Sequence, residues 1–189
     1  MEGPEQLAVI IPMLKDVARR IDHDQFANST PCTQFTVENV LEHMSDLASG
    51  FAPMFRGEVP GEPEKASAPP DADVTTQFDR AMDELLDAVQ SPGALDHTIQ
   101  TPGGPMPGAV FARLVALDGL VHGWDLASST EQSWEPPEAI VSEIDAFARQ
   151  AITPEMRDGH AFAAEQTPPE RASTMLRLAA FTGRAVPGR

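Results

Sequence analysis

Through much of the chain, apolar residues fall at three- and four-residue steps, the spacing that lines one face of a helix. Leu7, Ile10, Ile11, Leu14, Val17, Ala18 and Ile21 predict a first helix. After the proline-containing loop "ANSTPCTQF", Thr36 is a natural cap for a second, "VENVLEHMSDLASGFAPMF", whose Val37, Val40, Leu41, Met44, Leu47 and Phe51 keep the period. A third runs through "DVTTQFDRAMDELLDAVQS", with Val74, Phe78, Met82, Leu85, Leu86 and Val89 on one side. The fourth, "GAVFARLVALDGLVHGWDLASST", is apolar on most sides and predicts a central position in a bundle.

Between these runs the pattern breaks. "RGEVPGEPEKASAPPDAD" is rich in proline, glycine and charge and reads as a long exposed loop. "TPGGPMP" reads as a turn with short extended arms. Beyond residue 131, "PPEAIVSEIDAFARQAI" predicts a fifth helix, "ITPEMRDGHAFAAEQ" irregular chain, and "PPERASTMLRLAAFTGR" a short last helix stopped by Gly183. The expected organisation is an all-α bundle over residues 1–131, with residues 132–189 as a helical extension packed on it.

Charge narrows the function classes. Thirteen Lys and Arg against twenty-nine Asp and Glu give a formal net charge of −16, a field that repels nucleic-acid phosphates and anionic lipid surfaces alike. The N-terminal apolar run lacks the features of a signal peptide, and no segment reaches the length of a membrane span. Cys32, the single cysteine, can form no internal disulfide. A cytoplasmic location is the expectation.

The polar residues on apolar stripes carry the candidate chemistry, because bundles build metal sites by projecting ligands inward from facing helices. His23, His97 and His160 lie at a helix end or in polar loops, whereas His43 and His122 lie inside apolar helical stretches. Taken singly, each of these two reads first as a buried neutral histidine hydrogen-bonded to a carbonyl or carboxylate. Two of them on two helices weaken that reading, and "DGLVH" weakens it further. Asp118 and His122 are four residues apart, hence on one helix face one turn apart. Asp125 is displaced by about 60° to the other side of His122 and is the candidate to orient the ring; Glu42 is a weaker one beside His43.

Two imidazoles and one carboxylate with open positions form the donor pattern of catalytic zinc, and nickel or iron accepts the same ligands. Trp124 reads as core or pocket lining, and Trp134 as a loop anchor. Cys32 reads as a packing residue, with a reactive thiolate near a helix N-terminus as the sharper alternative. Arg113 and Arg184 read as surface residues, with substrate carboxylates as their alternative partners.

"TPCTQFTVENVLEHM", "HGWDLA" and "RLAAFTGR" together resemble the DinB-like superfamily, specifically actinobacterial proteins similar to the metal-binding domain of mycothiol-dependent maleylpyruvate isomerase. The resemblance implies a four-helix bundle of up-down-down-up connectivity. It also implies a divalent metal held by His43, Asp118 and His122, with Asp118 standing where the isomerase-type motif has a glutamate. The chain is expected to be too short for the full C-terminal domain of the two-domain isomerases. The function expected on this basis is a mycothiol-dependent S-transferase or isomerase acting on an electrophilic small molecule, with homodimerisation through a helix face. A metal-dependent hydrolase and a non-catalytic metal-binding or interaction protein remain the alternatives.

Overall fold

The computed structural model describes residues 1–58, 73–101, 103–157 and 162–186. Among them are six α-helices, each started by a capping side chain or a proline: α1 (Gly3–Ala18), α2 (Val37–Phe55), α3 (Val74–Val89), α4 (Gly108–Ser129), α5 (Glu138–Ala151) and α6 (Thr174–Phe181). Glu2, Thr36, Asp73 and Ser173 precede α1, α2, α3 and α6, while Pro107 and Pro137 precede α4 and α5. Before α4, β1 (Thr98–Thr101) and β2 (Gly104–Pro107) pair antiparallel with Thr101 opposite Gly104, the arms that the turn composition predicts. None of these helices is long and apolar enough to cross a membrane.

Helix directions follow from the pairs that bridge them. Lys15 of α1 meets Asp83 of α3 and Arg19 meets Asp79, so these two helices run antiparallel. Arg56, at the end of α2, meets Glu84 in the second half of α3, so α2 and α3 run parallel. Gly3 abuts Ala112, and Gly119 meets Ile10 and Leu14, so α1 and α4 are parallel as well. Phe51 and Phe55 of α2 pack on Phe111 near the start of α4, while His43 meets His122 further along, so that pair is antiparallel. The four helices therefore run up, down, down, up, as the resemblance implies. These exposed ion pairs mark direction more than they stabilise, since such pairs are worth at most about 1 kcal/mol each.

The core supplies the stability. Leu7, Leu14, Leu41, Phe55, Phe78 and Leu120 are essentially solvent-free, and each contributes about 1.5–3 kcal/mol by leaving water. The all-round apolar character of α4 has a direct cause, as it touches α1, α2, α5, α6 and both strands. Helices α5 and α6 pack on each other and against α4.

Some boundaries differ from those the sequence predicts. Helix α1 stops at Ala18, and tighter three-residue bonds from Arg20 to Val17 and from Ile21 to Ala18 close its end. Helix α6 starts only at Thr174, because the Ser173 side chain accepts from the Leu176 N–H and the prolines upstream stay outside it. The "PEMR" segment within the expected irregular chain forms a short 3-10 turn, Pro154–Arg157. Most of the expected long loop after α2, and His160, lie outside the described residues.

The α3 cap yields a pH prediction. Asp73 accepts from the Thr76 backbone N–H and hydroxyl, and these bonds hold its carboxyl below the ordinary range. In the unfolded chain it titrates near the usual value of about 3.9. The cap's contribution is thus complete above that value and lost as pH falls through the lower, folded one. Asp73→Ala should lower Tm at pH 7, and the gap to the parent should shrink at pH 3. A gap that does not change over this range would contradict the cap.

Candidate metal centre

Helix α2 is set in register by Thr36, whose side chain accepts from the Asn39 N–H. His43 then falls two turns along the helix and faces α4 at a point where Asp118 and His122 stand one turn apart. One ligand atom from each of His43, Asp118 and His122 lies within 4.8 Å of the other two. The His43 and His122 rings meet edge to face with centroids 5.3 Å apart. His122 Nε2 lies 3.6 Å from Asp118 Oδ1, close to the roughly 3.4 Å between neighbouring donors on a tetrahedral zinc ion with bonds of about 2.1 Å.

The hydrogen-bonding of His122 decides which nitrogen is free. Its Nδ1 lies 3.0 Å from Asp125 Oδ2, and the same oxygen accepts from Arg184 Nε at 3.2 Å. A carboxylate facing a guanidinium accepts, so Nδ1 carries a hydrogen and Nε2 is the nitrogen left toward Asp118. Nε2 is the nitrogen turned toward Asp118 Oδ1, and a proton on the ring or a metal cation fills the space between them. Two imidazoles with one carboxylate are the donor chemistry of zinc, nickel or iron.

Burial pushes the His43 imidazole below its ordinary range; Asp118 opposes this, and the neighbouring His122 adds to it. The ring is therefore held in the neutral, ligating form at neutral pH.

The loop before α2 covers this group. Thr30 N–H donates to Phe35 O, the Phe35 N–H to Cys32 O, and the Thr30 hydroxyl lies against both carbonyls. These bonds hold the Phe35 ring 5.3 Å from that of His43 and 6.4 Å from that of His122. Beneath the cluster, a cavity of about 20 Å³ ends on Asp118 and is otherwise apolar, with Leu7, Met44, Phe51, Met82 and Val115 among its walls. It has room for a water-sized molecule only. The Asp118 side chain itself is 37% exposed.

The remaining candidates fall into place around this cluster. Asp125 is fully buried against His122, while Glu42 is exposed and accepts from Asn39 Nδ2, outside the cluster. Trp124 is half-buried against the core. The Trp134 ring rests on Gly123, where a Cβ would come within 2.3 Å of it, so "HG" leaves the room that this ring occupies beside His122. Burial pushes the Cys32 thiol up, outweighing the nearby Arg184 guanidinium, which favours packing over a reactive thiolate. Arg113 stacks on Phe147 of α5, 4.2 Å from its centroid.

Arg184 is the residue that the sequence reading misplaces. It is buried, not on the surface. Its position is set by "FTGR", which closes α6: the Gly183 N–H donates to Ala180 O and the Arg184 N–H to Ala179 O, with Gly183 at φ +89°. This left-handed turn sends Arg184 inward to Asp125, and the next residue ties the loop down through the Ala185 N–H to Pro31 O. Gly183→Ala should cost about 2 kcal/mol or more, because left-handed backbone costs an L-residue roughly 1–2 kcal/mol and the new Cβ would also meet Ala163 at 2.7 Å. Urea unfolding measures it, and a loss below about 0.5 kcal/mol, the scale of an ordinary surface change, would show that the turn is not required.

The model of the mycothiol maleylpyruvate isomerase N-terminal domain family matches residues 9–127. Proteins described as uncharacterized in two strains of Mycobacterium tuberculosis are 33% identical to this chain over 164 residues, covering 86% of it and 87% of their own length. No solved structure matches significantly.

Proposed function

The chain belongs to the mycothiol maleylpyruvate isomerase N-terminal domain family, and from that premise we propose that it binds a divalent metal ion, zinc in the first instance, and acts as a thiol-dependent S-transferase or isomerase. The observation that carries this reading is the meeting of His43, Asp118 and His122, with one ligand atom from each within 4.8 Å of the other two. His43 and His122 would hold the ion through ring nitrogens, and Asp118 through a carboxylate oxygen that offsets part of its charge. A divalent ion there supplies positive charge that favours a thiolate, the nucleophilic form of a low-molecular-weight thiol such as mycothiol.

The chain's own residues shape the reaction. Phe35 covers the imidazoles on one side, and the exposed edge of Asp118 leaves the approach for thiol and electrophile. The thiol proton passes to water and the sulfur forms a bond to an electrophilic carbon. The displaced electron pair then either departs with a leaving group, giving S-transfer, or returns after rotation about the former double bond to expel the sulfur as thiolate, giving isomerisation. Asp125 takes no part in proton transfer in this scheme, as it is fully buried and committed to Arg184 and His122.

The test loads the protein with zinc and measures mycothiol binding by calorimetry beside the metal-free protein. Adduct formation, isomerisation and ester or amide hydrolysis are then assayed on one panel of electrophiles. Zinc-dependent thiol binding with adducts or isomers supports the proposal. Hydrolysis without thiol dependence would replace it with the hydrolase reading, and zinc binding without thiol affinity or turnover would leave a non-catalytic metal protein.

A further inference from the structure

Asp125 and Arg184 form a buried charge pair 59 residues apart in the chain, and residue 184 lies outside the 9–127 span matched by the family model. The pair meets on one oxygen: Asp125 Oδ2 accepts from both His122 Nδ1 and Arg184 Nε, while Asp125 Oδ1 is buried with no partner. A buried carboxylate with one oxygen free can turn about its own bond unless something fixes the other. Here the guanidinium does so, since its Nε–H is directed by the helix-ending turn at Gly183 and its Nη1 is tied to Thr182 O at 3.5 Å. Without Arg184, His122 would have only a freely turning acceptor to set its ring.

We propose that Arg184 is a positioning residue for the candidate metal centre: acting through Asp125, it locks His122 in the form that bears hydrogen on Nδ1 and aims Nε2 at Asp118, so that the C-terminal segment completes the site. The ring orientation stands on geometry alone, while its consequence for metal affinity rests on the proposed metal site. The Ala185 bond to Pro31 extends the effect, because the same segment steadies the loop that carries Phe35 over both imidazoles.

The test has two readouts. The first is the histidine side-chain nitrogen NMR spectrum of the metal-free protein, which reports which ring nitrogen of His122 carries the hydrogen. The second is zinc affinity, measured by competition with a chelating dye.

The parent should show a single Nδ1–H form for His122. Arg184→Met should lose it and bind zinc about 10- to 100-fold more weakly, the usual effect of removing a group that orients a ligand. Arg184→Lys, which keeps the charge without the fixed fork, should fall between the two. In an Asp125→Leu background, which has no acceptor at that position, Arg184→Met should change zinc affinity by less than about threefold, because the relay is already cut.

A parent ring without the Nδ1–H form, or an Arg184→Met ring identical to the parent's, would overturn the proposal. An equal loss of affinity in both backgrounds would do the same. Should Arg184→Met fail to fold, the ring spectrum of Arg184→Lys decides. Should the parent bind no zinc, the metal reading falls while the ring spectra still decide the role of Arg184.

Discussion

Asp118→Ala should abolish zinc-induced stabilisation while leaving the metal-free protein nearly unchanged. Zinc at a hundred times its dissociation constant stabilises a native state by about 2.7 kcal/mol, a rise in Tm of roughly 5–11 °C for a chain of this size. Asp118 supplies one of the three converging donors, and its side chain is 37% exposed, so truncation opens no deep void. The apo protein should stay within about 0.5 kcal/mol of the parent. The measurement is a pair of thermal melts for each protein, with and without zinc. A full zinc-induced rise in the variant would exclude Asp118 as a ligand.

Asp125→Ala should act in the opposite way, unfolding the protein more easily whether or not metal is present. The substitution strands the Arg184 guanidinium inside the fold and removes the acceptor for His122 Nδ1. Breaking a buried pair from one side costs about 3–5 kcal/mol, because the other charge remains without compensation. Adding Arg184→Met to Asp125→Ala should recover a large part of this loss, since a pair removed together leaves no orphan charge. Urea unfolding at pH 7 measures both variants. A loss below about 1 kcal/mol for the single variant would mean that the pair is solvated in solution, and the buried arrangement would not hold.

The contrast between these two carboxylates shows what was legible in the sequence. Asp118 and His122 belong to one helical turn, so their shared face follows from local geometry. His43 was joined to them by the expectation that apolar stripes face each other and by the family resemblance, since no local spacing links it to α4. Asp125 was legible for the same local reason as a neighbour of His122, but its partner was not. Arg184 comes from another helix end 59 positions away, and no periodicity encodes a pairing at that separation. "FTGR" was visible as a motif, and Gly183 as a stop; the inward turn that this stop imposes was not.

The fold divides in the same way. Amphipathic spacing and capping residues marked the helices of the bundle, since both act within a few residues. They also marked a turn with extended arms in "TPGGPMP", where β1 and β2 pair. Helix direction was out of reach of periodicity, because it depends on which stripes meet. Lys15 with Asp83 and Arg56 with Glu84 reveal it only once the chain is folded. The start of α6 was set too early, at the prolines of "PPERAS", whereas the Ser173 cap decides where the helix begins.

The parallel pairing of α1 and α4 also bears on how this protein reaches its native state. Gly3 rests against Ala112, and His43 against His122, so the contacts that close the bundle join distant parts of the chain. Such closures carry a loop entropy that must be met before the contacts repay it, which slows folding relative to bundles built from neighbouring hairpins. Before α4 docks, the donors of the candidate centre are scattered, and an ion has no joint site to occupy. Its stabilisation should therefore fall almost wholly on the rate of unfolding, with refolding proceeding at the metal-free pace. For this chain, bound metal would act as a latch on a finished structure rather than as a nucleus for its assembly.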